Sequence, residues 1–172
     1  MPGHSRFKNR VISKLVARFP RLARRIIDAY VPEERQGIPW TPLEKPLNRS
    51  RVALVTTAGV HRRDQPPFDM LDKDGDPSFR EIKAMTRVKD LMITHDYYDH
   101  GDADRDVNIV FPLERLQEFA VEGIIGEVAG SHYGFMGHIT GAHVRTLTEV
   151  SAPRVAAMLK AQEVDCVLLT PG

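Results

Sequence analysis

The reactive side chains of this chain gather in a few stretches, and the densest runs Thr94-His95-Asp96-Tyr97-Tyr98-Asp99-His100-Gly101-Asp102-Ala103-Asp104-Arg105-Asp106. Two imidazoles among carboxylates can move protons near neutral pH, where an unperturbed histidine titrates. The same set can hold zinc or another divalent cation. A charged pocket wall without metal, or a solvated loop, fits the same residues. The run His-Asp-Tyr-Tyr-Asp-His departs from the His-x-His-x-Asp-His order of the metallo-β-lactamase fold, because its second histidine is missing.

A second stretch, from Gly130 to His143, carries His132, His138 and His143 with Gly130, Gly134, Gly137 and Gly141. Glycines let backbone approach a ligand closely, and histidines can act as acid–base or orienting groups. The bland alternative is a tight loop with buried, satisfied histidines. Asp72-Lys73-Asp74-Gly75-Asp76 resembles the start of a calcium loop, but the mechanics fail. The sixth position is Pro77 where glycine is needed, and the last ligand position is Lys83, a cation. A turn is the expected structure. Cys166 lies among apolar residues and is expected to be an inert thiol. There is no nucleophile elbow, phosphate loop or dinucleotide fingerprint.

The elements that would position these groups alternate strand and helix. Val52–Thr57 is a short apolar, β-rich run and reads as a buried first strand. Asp90–Thr94 is a second candidate, Val107–Phe111 is expected to be extended, and 164–169 is a terminal strand. Residues 61–80 are expected to form a long polar loop, and residues 124–143 are rich in glycine and histidine. Pro112 opens a helix to about Glu122 that Gly123 stops. Ser151 caps a helix reaching Gln162, with Pro153 in its first turn. The alternation implies an α/β, Rossmann-like parallel sheet covered by helices.

Ahead of this domain, residues 9–30 show helical periodicity with Arg-rich flanks, and Pro20 kinks or divides the helix. Residues 31–50 hold four prolines and read as a connector, with Trp40 as an anchor. The expected organisation is therefore a basic amphipathic arm and connector over 1–40, followed by the domain over 41–172. Net charge is +1 and no nucleic-acid module accompanies the basic arm, so no nucleic-acid partner is expected. No run has the length of a membrane span. One cysteine and no secretory signal suit a reducing cytoplasm.

Several stretches resemble the glycine/sarcosine/betaine/D-proline reductase selenoprotein B family. They are Val52 to His61, Gly75 to Ile82, His95 to His100, Asp102 to Leu116, Gly134 to Ile139, and Val164 to Gly172. The resemblance implies reductive cleavage of a C–N bond in a small amine or amino acid, the oxidoreductase type with a disulfide as acceptor. It implies a selenocysteine, or cysteine in relatives, immediately after the Thr-Pro-Gly turn, so the redox residue is expected just beyond Gly172, past a UGA codon read as a stop. A selenol is ionised at neutral pH where a thiol near 8.5 is mostly not. A partner reductase subunit, which in the family carries a pyruvoyl group, and a thioredoxin-type reductant are implied, in a homo- or hetero-oligomer. On loop position and chemistry, His95, Asp96, His100 and His138 are the catalytic candidates. Asp102, Asp104, His61 and His143 are the substrate-binding candidates, and no metal is expected. The alternatives are a metal-dependent hydrolase using His95, Asp99, His100 and a later histidine, or a non-catalytic subunit.

Overall fold

The computed structural model describes residues 2–19, 21, 24, 28 and 41–171. The expected kink at Pro20, the connector residues through Trp40, and Gly172 lie outside the described residues. The chain divides into two compact units, one of residues 1–42 with 96–99 and one of residues 43–95 with 100–172.

In the first unit, helix α1 spans Pro2–Arg18. Ile12, Val16 and Ala17 line a hollow of about 340 Å³ with Tyr97, Tyr98 and Asp99. Helix α1 covers residues 9–18 of the expected 9–30 helix, with Val11, Ile12 and Leu15 of the expected apolar stripe exposed.

The second unit is built on strand β1 (Arg51–Thr56), whose Val52, Ala53, Leu54 and Thr56 are all buried. Strand β7 (Cys166–Thr170) runs parallel to it along its whole length, from Val52 opposite Cys166 to Thr56 opposite Thr170. On the other side, β5 (Glu127–Val128) pairs with the start of β1 and β6 (Ser131–Gly134) with its end, both parallel. Strand β3 (Arg80–Lys83) pairs antiparallel with β6. The sheet is therefore mixed, where a wholly parallel one was expected. β2 (Val60–Arg62) and β4 (Leu91–Ile93) form a separate antiparallel pair. The predicted Asp90–Thr94 strand exists, but outside the main sheet.

Other expectations are corrected by long-range pairing. The glycine–histidine stretch is not all loop, since Ser131–Gly134 is a fully buried strand. Val107–Ile109 is a single 3-10 turn, because the Asp106 carboxylate accepts the Asn108 N–H and caps it. Helix α2 (Leu113–Val121) starts after Pro112 as predicted and stops before Gly123, whose φ is +71°. Ser151 is not a helix start. The chain is already helical through α3 (Ala142–Thr146) and a π-type turn (Leu147–Ser151) before α4 (Ala152–Ala161). Ser151 has helical dihedrals and makes no side-chain cap.

Helix α4 buries Val155 and Leu159, one turn apart, against Ala53, Ala129, Tyr133 and Phe135 of the sheet. Each such burial contributes roughly 2 kcal/mol. The opposite face presents Thr56 and His132 to Val110 and Phe111, with the Phe111 and His132 rings edge-to-face at 6.0 Å. Between the pairs Val52–Val128 and Val55–Tyr133, β1 spends two residues, Ala53 and Leu54, where its partner spends four, Ala129 to His132. This bulge removes the ladder acceptor for the Leu54 N–H, and His132 Nδ1 accepts that proton instead at 2.9 Å.

Candidate functional site

The parallel strands β1, β6 and β7 end side by side at Thr56, Gly134 and Thr170. In open α/β sheets this carboxyl edge is where loops bring chemistry together. Here it is densely bonded. The Val110 carbonyl accepts from Thr56 Oγ1 at 3.0 Å and from Thr170 Oγ1 at 2.6 Å. The Thr57 N–H donates to the Thr170 carbonyl at 3.0 Å, and the Gly59 N–H to the Phe135 carbonyl at 2.8 Å.

His95 sits at this edge and is buried. Its place follows from backbone: the Thr94 N–H donates to the Gly59 carbonyl, binding the end of the β4 segment to the β1–β2 turn. Gly59 has φ +73°, and a Cβ there would meet the Thr94 carbonyl oxygen at 2.5 Å, so only glycine permits this approach. The Gly137 N–H donates to His95 Nε2 at 3.2 Å. An imidazole that accepts at Nε2 carries its proton at Nδ1 when neutral. The arrangement yields a buried imidazole at this edge, oriented by a backbone N–H on its Nε2.

The other stretch of glycine and histidine meets the Asp72–Gly75 turn. The Thr140 N–H donates to the Asp74 carbonyl at 2.9 Å and Thr140 Oγ1 to Asp74 Oδ1 at 3.0 Å. His143 Nε2 lies 2.9 Å from Asp72 Oδ2, and His138 Nε2 lies 3.2 Å from the Lys73 carbonyl. The His143 contact holds Asp72 below the usual carboxylate range. His138 and His143 are thus placed on this turn.

The remaining candidates are spread out. His61, buried in β2, donates from Nδ1 to the Arg62 carbonyl and accepts at Nε2 from Thr94 Oγ1, each at 2.8 Å. Burial pushes its pKa down, consistent with a neutral ring. His100 Nδ1 contacts Asp104 Oδ2 at 2.8 Å, and exposed Asp102 pairs with Arg105. In the first unit, buried Asp96 receives the Arg6 Nε proton at 2.6 Å. Among the described residues no group of three or more His, Cys, Asp or Glu side chains comes together to hold a metal. Cys166 is half-buried at the amino end of β7, far along the strand from Thr170. A hollow of about 450 Å³ lined by Arg62, Arg63, Lys83 and Arg87 lies toward Lys83, which pairs with the amino end of β6. It is therefore at the other end of the strand from His95.

Residue reasoning did not single out Thr56 or Thr170, and gave no sign of the structural role of His132. The threonines end their strands, and a polar residue closing an apolar strand was the available signal. His132 had none, because its partner is a backbone N–H exposed by a bulge.

A mixed α/β unit with its oriented polar groups at one sheet edge places them where open α/β sheets carry their ligand loops. The chain belongs to the glycine/sarcosine/betaine reductase selenoprotein B family, whose signature matches residues 6–172. It is 40% identical over 145 residues to D-proline reductase subunit gamma of Acetoanaerobium sticklandii, covering 84% of this chain and 57% of that one. It is 31% identical over 138 residues to glycine reductase complex component B subunit gamma of Carboxydothermus hydrogenoformans, covering 77% of this chain and 30% of that one. It is 30% identical over 132 residues to betaine reductase complex component B subunit beta of Peptoclostridium acidaminophilum, covering 73% and 29%. The chain thus spans about half the length of the first relative and under a third of the others. No solved structure gives a significant match. Among the described residues, no helix is long and apolar enough to cross a membrane.

Proposed function

We propose that this chain forms an orienting wall of the active site of a reductase that cleaves a C–N bond in a small amine or amino acid. Family membership supports the reaction class, and the names of the relatives supply its candidates: D-proline, glycine and betaine. The observation that carries the assignment is His95, buried at the carboxyl edge with Nε2 committed to the Gly137 N–H. Its role is to hold a reacting group by hydrogen bonding while the ring stays neutral. The Rossmann-like character of the β1, β5–β6 and β7 core belongs to the same proposal.

The family implies a selenocysteine or cysteine as redox group, and that group would supply the nucleophile toward the carbon beside nitrogen. Its place beside Thr170 and Pro171 fits what surrounds that point. Thr170 is bonded to Thr57, and the Thr57 carbonyl and His95 Nε2 both lie within 3.4 Å of where a Cβ on Gly137 would stand. Cys166 does not fit, because it opens β7 where Thr170 closes it. Asp96 and His100 are further catalytic candidates on their chemistry alone, and His138 and His143 meet the Asp72–Gly75 turn. A partner subunit with a carbonyl group that holds the amine, and a thioredoxin-type reductant, complete the proposed assembly.

The test is His95→Gln in the chain assembled with its partner subunits. Consumption of dithiol is followed with D-proline, glycine, sarcosine and betaine. Turnover should fall about 100-fold, the contribution of one preorganised hydrogen-bonding group, with unfolding unchanged. Wild-type turnover in the variant would remove His95 from the mechanism.

A further inference from the structure

Resting on the reading of this edge as the reaction site, we infer that the Thr57 hydroxyl is a substrate-binding group: it holds the carboxylate of an amino-acid substrate whose amine is held by the partner subunit.

The other donors described at this edge are spent on the fold. The Thr56 and Thr170 hydroxyls both donate to the Val110 carbonyl. The Thr57 N–H donates to the Thr170 carbonyl, the Gly59 N–H to the Phe135 carbonyl and the Phe135 N–H to the Thr56 carbonyl. The Ala58 N–H donates to Thr56 Oγ1 at 3.1 Å, and the Gly137 N–H to His95 Nε2. The Thr57 hydroxyl is different, because among the described residues it has no hydrogen-bond partner. Thr57 is also exposed, although Thr56 before it and Ala58, Gly59 and Val60 after it are buried. β1 therefore leads into one outward-facing hydroxyl at the end where it meets β7.

The backbone under that hydroxyl is fixed. Its N–H is held by Thr170 at 3.0 Å, and the next residue, Ala58, bridges to Met136. The bridge brings Gly137 against both Thr57 and His95. A Cβ on Gly137 would stand 3.0 Å from the Thr57 carbonyl oxygen, 3.6 Å from Thr57 Cβ and 3.4 Å from His95 Nε2. Gly137 is exposed, and its φ lies outside the left-handed region, so its backbone does not demand glycine. What the missing side chain leaves is room, at a point that Thr57 and His95 both border. A hydroxyl donates well to a carboxylate, and such a bond is stronger than one between neutral groups. With the amine engaged by the partner, a second contact at the acidic end fixes the orientation of the carbon between them.

The binding experiment needs no turnover, so its failure overturns the role of Thr57 alone, whereas wild-type turnover in His95→Gln overturns the role of His95. The whole chain, labelled with nitrogen-15, is titrated with cyclopentanecarboxylate, a ring acid without nitrogen, and with pyrrolidine, a ring amine without the acid. The acid should move the Thr57 and Gly137 amide signals, and pyrrolidine should leave them in place. Thr57→Val keeps the side-chain shape and the bond to Thr170. It should weaken binding of the acid about tenfold, within the contribution of one hydrogen bond to a charged group. Thr57→Ser restores a hydroxyl and should restore binding. The urea midpoint of Thr57→Val should match the wild type, since the hydroxyl bonds to nothing in the fold. In the chain assembled with its partner subunits, Thr57→Val should raise KM for the amino-acid substrate about tenfold and leave kcat within about twofold, the pattern of a lost binding contact. Amides that ignore the acid in the wild type, or equal affinity for it in wild type and Thr57→Val, would overturn the assignment.

Discussion

Replacing His132 with asparagine should flatten the acid side of the stability curve. His132 is wholly buried, and its Nδ1 accepts the Leu54 N–H left without a partner by the bulge opposite β1. Nε2 has no hydrogen-bond partner among the described residues. Charging the ring would put a second proton where the Leu54 N–H already points, in a site lined by Phe111. Desolvation by burial accordingly pushes its pKa from 6.5 to about 4. The folded state thus binds fewer protons than the unfolded one between these values, and stability rises with pH. The contribution is complete above about pH 6.5 and is lost by about pH 4, a difference of about 3 kcal/mol. Asparagine places an acceptor oxygen near the Nδ1 position and cannot titrate. It should cost about 2 kcal/mol at neutral pH through the lost ring contact. Urea unfolding followed by circular dichroism, from about pH 7 down to about pH 4, measures both effects. Buried carboxylates lose stability in acid in both proteins, so the difference between the curves isolates His132. Parallel curves would refute the reasoning.

Leu159→Ala should destabilise the second unit by about 2–5 kcal/mol, because α4 loses its main contact with Ala53 and Tyr133; the urea midpoint measures it. Gly134→Ala should cost more than about 2 kcal/mol, since its Cβ would stand 2.0 Å from the Val60 carbonyl oxygen. That variant should melt far below the wild type in a thermal scan.

The elements legible in the residues were those whose signal is local. β1 is an uninterrupted apolar run, and α2 is bracketed by Pro112 and Gly123, so both lie within a residue or so of their expected bounds. The errors arose where a distant partner decides the structure. β6 reads as loop from its glycine and histidine, yet β1 and β3 enclose it on both sides. Ser151 has the chemistry of a helix cap, but the preceding helical turns leave it nothing to cap. The candidate site divides in the same way. The histidines were visible as chemistry. That His138 and His143 meet the Asp72–Gly75 turn was not, because hydrogen bonds across such separations leave no periodic mark.

The Val110 carbonyl receives a hydroxyl from each of two neighbouring strand ends, Thr56 and Thr170. Its consequence is redundancy under mutation. A threonine-to-valine change at Thr170 preserves shape and leaves the Thr56 hydroxyl on the carbonyl, so that loss is cushioned, whereas the same change at Thr56 also takes an acceptor from the Ala58 N–H. Losing both leaves a buried carbonyl short of its donors, so the Thr170 change costs more once Thr56 is gone. Position 170 should therefore tolerate drift while Thr56 is present and resist it once Thr56 is lost, a dependence that comparison of sequences would register as covariation.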